Sequence, residues 1–131
     1  MTTFTLPAPV FVTARPKSRY RTINYPLGPK TQTAKGGTEQ RVVQVHVGHL
    51  KERKQFYATA NKVTIEHEPE FGFNVEQYWP FDAVTLMRQP VARFSDKALA
   101  AFTATVVKFF ESQVVVTPKL LAMFNTDGEP A

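Results

Sequence analysis

Polar and apolar residues alternate through most of residues 40–93. Arg41–Val47 puts Val43, Val45 and Val47 on one side and Gln44 and His46 on the other. Gln55–Ala60 sets Phe56, Ala58 and Ala60 against Tyr57 and Thr59. Val63–His67 and Phe71–Glu76 keep the same period. A repeat of two is that of a strand, whereas an exposed helix needs apolar residues three and four apart. Four short runs parted by polar breaks predict an antiparallel meander with one face buried. Asn61-Lys62 is expected to be a tight turn between two of these strands, although it lacks the glycine that favours one. Glu68-Pro69-Glu70 makes the next turn. Pro80, after Trp79, interrupts the ladder; Ala83–Met87 predicts another strand, and Pro90 forces a bend or an edge. Trp79 itself fits a core or rim position.

The pattern changes at Ser95. Ser95 suits an N-cap, Asp96 favours the positive end of the helix dipole, and Phe94 and Leu99 have staple spacing. Leu99, Phe102, Val106, Phe109 and Phe110 then share one face of a helix running to about Ser112. That face should cover the apolar side of the meander. Val114–Thr117 has strand propensity. Thr117-Pro118 reads as N-cap and first residue of a short helix through Phe124, stopped by Asn125. Asp127–Ala131 reads as a tail. Exposed, Leu120, Leu121, Met123 and Phe124 would form a sticky surface or a subunit interface.

Upstream, residues 1–14 carry no charge. Val10–Thr13 predicts an edge strand, since Pro9 lacks a donor for a ladder. The opening residues show no charged segment followed by an apolar run, so a signal peptide is not expected. No apolar run approaches the roughly 18 residues of a membrane span. The fold class expected is mainly β (α+β): a meander sheet packed by one C-terminal amphipathic helix, with a basic N-terminal arm. Residues 1–38 form the arm and a flexible loop, and residues 39–131 the meander and helix, within a single domain overall.

Charge changes this picture more than composition does. The formal net charge is +5, on 16 basic and 11 acidic residues. Residues 1–38 hold Arg15, Lys17, Arg19, Arg21, Lys30 and Lys35 and no acidic residue. Residues 39–131 are close to balanced, with ten basic and eleven acidic. Such asymmetry marks a surface that meets an anion. Arg15, Lys17, Arg19 and Arg21 are two apart, which in an extended chain would align them about 6.6 Å from one to the next. That row would follow a phosphate backbone, with Tyr20 or Tyr25 stacking on a base. It equally fits a solvated edge strand whose like charges prevent aggregation. Pro26–Thr38, with two prolines and three glycines, is expected as a loop. Lys30 and Lys35 could there close over an anion, but the P-loop pattern is absent. Lys51, Arg53 and Lys54 add a second basic group, and Tyr57 a further stacking surface on the sheet. Glu66, Glu68, Glu70 and Glu76 form an acidic cluster that could instead pair with the basic arm.

Signals for catalysis are weak. The absence of cysteine excludes disulfides, thiolate zinc sites and a cysteine nucleophile. His46, His49 and His67, with Glu66 or Glu68, are the best metal candidates, yet their spacing matches no ligand motif and no metal or other cofactor is expected. Nothing places a carboxylate pair in a pocket, and no nucleophile elbow supports a triad. The expectation is a non-enzymatic binder of single-stranded DNA or RNA through Arg15, Lys17, Arg19, Tyr20, Arg21, Tyr25, Lys30, Lys35, Lys51, Arg53, Lys54 and Tyr57. It would be a homo-oligomer without a membrane partner, in the cytoplasm or inside a nucleoprotein assembly. The alternative is a structural subunit of a viral or ribonucleoprotein particle, with the arm gripping a neighbour.

Overall fold

The computed structural model describes residues 4–70, 73–78 and 83–124, of which 73–78 by backbone alone. Its centre is a hairpin of two long strands. β1 is Val10–Phe11, β2 Tyr20–Pro26, β3 Thr31–Gln32, β4 Thr38–Leu50, β5 Gln55–Glu68, β6 Phe73–Tyr78 and β7 Val84–Pro90. α1 spans Asp96–Gln113 and α2 Pro118–Ala122. The strands form one antiparallel sheet in the order β1-β2-β4-β5-β6, with β3 on β4 and β7 on β5. β7 pairs the first half of β5 and β6 the second.

The helix covers one side of the sheet, as its apolar stripe requires. Leu99, Phe102, Val106 and Phe110 of α1 are buried against Ile23, Tyr25, Val43, Val45, Val47, Phe56, Ala58 and Ala60. Phe102 stacks on Phe56 and Phe110 on Tyr25, with ring centroids 5.1 and 5.0 Å apart. Burying each such ring stabilises by about 1.5–3 kcal/mol. Phe109 lies on the shoulder of the stripe and remains 37% exposed. The helix begins as expected: the Ser95 hydroxyl accepts from the Ala98 N–H at 3.1 Å.

Three expectations are corrected. Asn61-Lys62 is not a turn; it continues β5, paired in register with Gln44 and Val43. The apolar residues merely change sides there. Phe56, Ala58 and Ala60 face α1, whereas Val63 shares the opposite face with Val42, and both are buried. Val114–Thr117 is not a strand. Val114 caps α1 by donating to the Phe110 carbonyl at 2.9 Å, and the Val116 and Thr117 N–H groups close turns onto Gln113. Nor does α2 present a sticky surface. Leu120 and Met123 are buried within this chain, while Phe124 packs on Phe4, Tyr25 and Phe110.

The expected arm is also partly sheet: β2 is an interior strand between β1 and β4. In the expected loop, the Thr33 N–H donates to the Gly37 carbonyl and the Gly37 N–H to the Thr33 hydroxyl, each at 3.0 Å. A β-carbon on Gly37 would meet the His67 carbonyl, so this turn needs glycine. Trp79, Pro80, Asn125, the 127–131 tail and the Glu76 side chain lie outside the described residues.

Chemical denaturation tests the packing. Phe110→Ala is expected to cost about 3–5 kcal/mol through the cavity it leaves. Ser95→Ala should cost only about 1 kcal/mol, the value of an N-cap.

Candidate nucleic-acid interface

The basic residues do not form one straight row. The Ser18 N–H donates to the Arg15 carbonyl at 3.1 Å, closing a turn in which Lys17 has φ of 65°. Two of the four cations are then engaged within the chain. The Arg19 guanidinium lies 4.8 Å from the centroid of the Phe94 ring and donates to His49 Nδ1 at 2.9 Å. Arg21 donates to the Ser18 and Tyr20 carbonyls at 3.0 and 2.7 Å and reaches Asp96 at 3.9 Å. Arg15 and Lys17 stay exposed.

Topology gathers other cations beside them. The His49 N–H donates to the Arg19 carbonyl at 3.1 Å, which sets the Arg15–Arg19 turn next to the β4–β5 turn. That second turn is Lys51–Lys54, wholly exposed, with Lys54 at φ of 49°. The Val91 N–H donates to the Lys54 carbonyl at 2.8 Å, so the end of β7 arrives at the same place. It brings exposed Arg88 and Arg93, which no local charge pattern singles out. Their signal was absent from local spacing, because only the β5–β7 register places Arg88 opposite Tyr57.

Lys30 and Lys35 do not join this group. They flank β3, which pairs with Thr38 and Glu39 at the far end of β4. The ten residues from Thr38 to Gly48 separate them from Tyr20 by about 33 Å at the usual strand rise. Glu39, Glu66, Glu68 and Glu70 lie at that far end. The sheet thus has an excess of cations at one end, beside Glu52 and Asp96, and a cluster of four glutamates with Lys30 and Lys35 at the other.

Beside the basic end, on the side away from α1, three rings form a ladder. Tyr20 stacks on His46 with centroids 5.5 Å apart and planes 23° apart, and is itself 51% exposed. His46 tilts against Tyr57, its Nε2 3.1 Å from the Tyr57 hydroxyl oxygen. Gly48, in register between Tyr20 and Tyr57, makes room for the ladder. A β-carbon there would stand 2.6–2.7 Å from the Tyr57 ring and hydroxyl. Burial, and secondarily Tyr20, raise the Tyr57 hydroxyl above its usual range, which keeps it protonated. Tyr25, expected to stack on a base, cannot do so. It is fully buried and its hydroxyl donates to Glu111 at 2.8 Å.

The histidines do not converge. His46 lies on the ladder side, while His49 lies on the α1 side, packed by Phe56 and Phe94. His67 pairs with Thr38 at the other end of the sheet. Among the described residues no group of three metal-ligating side chains forms.

Burial, then the adjacent Arg19, lower His49 below its usual 6.5. A lowered histidine binds its proton more readily once unfolded, so its neutral burial contributes fully only above the unfolded value. Stability should therefore decline as pH falls below about 6.5, the unfolded reference. Denaturant titrations between pH 7.5 and 5.5 should show a steeper fall for the wild type than for His49→Gln. No family model, curated protein or solved structure matches the chain, and the site is defined by its own geometry.

Proposed function

We propose that this chain is a non-enzymatic module that binds single-stranded nucleic acid, DNA or RNA, at the basic end of its sheet. One observation carries the reading: Arg15, Lys17, Lys51, Arg53, Lys54 and Arg88 are exposed around an end of the sheet that also displays Tyr20. Exposed cations at a polyanion release condensed counterions, which supplies affinity without reading sequence. Tyr20 offers one ring face already braced by His46, and a base stacking on the ring adds about 1–3 kcal/mol. A base can reach that ring only when unstacked from its neighbours, which favours a single strand over a duplex. Arg19 and Arg21 hold the turn in place instead of gripping phosphate.

The gathered carboxylates support a second reading, an assembly subunit. The basic end of one copy would meet Glu39, Glu66 and Glu70 of the next, in a particle or a nucleoprotein.

Titration of labelled single strands and duplexes at several salt concentrations tests the first reading. Replacing Lys51, Arg53 and Lys54 with alanine should flatten the log affinity against log salt slope by about 2, at about 0.7 per phosphate contact. Tyr20→Ala should weaken single-strand binding without changing that slope. Absence of single-strand binding at low salt would overturn the reading. Growth into assemblies larger than a dimer at low salt without oligonucleotide would favour the subunit.

A further inference from the structure

Among the described residues the sheet stops at β1, and no strand pairs with the outer side of that strand. Val10 pairs with Asn24 and Phe11 with Ile23, and the Val12 N–H donates to the Thr22 carbonyl at 3.0 Å. In an antiparallel ladder alternate residues point their backbone groups to opposite sides. Val10 and Val12 are therefore satisfied by β2, and the Phe11 N–H and C=O face outward. Val10, Phe11 and Val12 are 54, 60 and 45% exposed. Proteins usually guard such an edge with charge, yet residues 4–14 carry none.

We propose that two copies of this chain join edge to edge through β1, antiparallel about a two-fold axis at Phe11. Phe11 of each copy would exchange both backbone hydrogen bonds with Phe11 of the other. The same register would bring the Thr13 N–H of one copy to the Pro9 carbonyl of the second. Pro9 selects this register. It has no N–H, and a pair centred on it would have no donor at its middle. The junction is isologous, so it uses up the edge and closes as a dimer.

The α1 side supports the same occupant. A groove of about 520 Å³ lies between Phe11 and the helix, lined by Ala100, Ala104 and Val107. Arg21, Lys108 and Glu111 also line it; Lys108 and Glu111 lie one turn apart with opposite sign, and Arg21 is held by the Ser18 and Tyr20 carbonyls and Asp96. A two-fold axis reverses the order of Lys108 and Glu111 in the second copy, so this pair in one groove complements the same pair in the other. Small residues and an exposed phenylalanine fit a close apolar contact between identical surfaces, flanked by self-complementary charge. This junction lies on a different edge from the β5–β7 pairing that carries Arg88, and it stands independently of nucleic-acid binding.

Sedimentation velocity of the full chain, without oligonucleotide and over micromolar to hundred-micromolar concentrations, tests the proposal. The wild type should sediment at twice the chain mass of 14.8 kDa. Phe11→Lys would set two cations against each other across the axis, and Thr13→Pro would remove an outward donor. Both residues are exposed, so circular dichroism melts should match the wild type. Each variant should raise the dimer dissociation constant at least tenfold. A wild type that stays at single mass throughout, or a dimer that survives both substitutions, would overturn it.

Discussion

The ladder between β4 and β5 holds the rest of the molecule in place. It runs unbroken from Thr38↔His67 to Leu50↔Gln55. β2 and β3 attach to its outer side along β4, and β6 and β7 share the edge of β5. Because the hairpin is long, its two ends carry different chemistry, and the strands laid against it inherit that difference. Register in such a ladder is strongly specified, since a slip of one residue would turn Phe56 and Ala58 away from α1.

Much of this architecture is visible in the order of the residues. Val43, Val45 and Val47 declare a strand with one buried face, and Ser95 to Phe110 declare the helix that covers it. Where structure and local pattern part, the cause is the same: tertiary pairing overrides local pattern. Apolar residues cross from one face of β5 to the other at Asn61-Lys62 because the sheet is buried on opposite sides along its length. A parity change resembles a turn when only one face is assumed to be buried. Val114–Val116 has the composition of a strand, but the end of α1 still needed groups to close its last turns.

The candidate site was half legible. The excess of cations near the N-terminus and the basic turn at Lys51–Lys54 are plain in the sequence, and pairing brings them together. Spacing alone could not show that Arg19 and Arg21 serve the fold, since Phe94, His49 and Asp96 come from elsewhere in the chain. Tyr20 and Tyr25 look alike as sequence. They differ because β2 turns one toward solvent and the other toward Phe110 and Glu111. Gly48 is informative only after Tyr57 is known to lie across it.

The two turns at the basic end share one further property. Lys17 and Lys54 are the non-glycine residues with positive φ among those described. An L-residue in that conformation gives up about 1 kcal/mol that glycine would not. At both positions the chain carries a cation where its backbone favours a bare α-carbon. Exchanging either lysine for glycine would relax the main chain while erasing a charge, so backbone ease and the positive charge of this end pull against each other at these two positions.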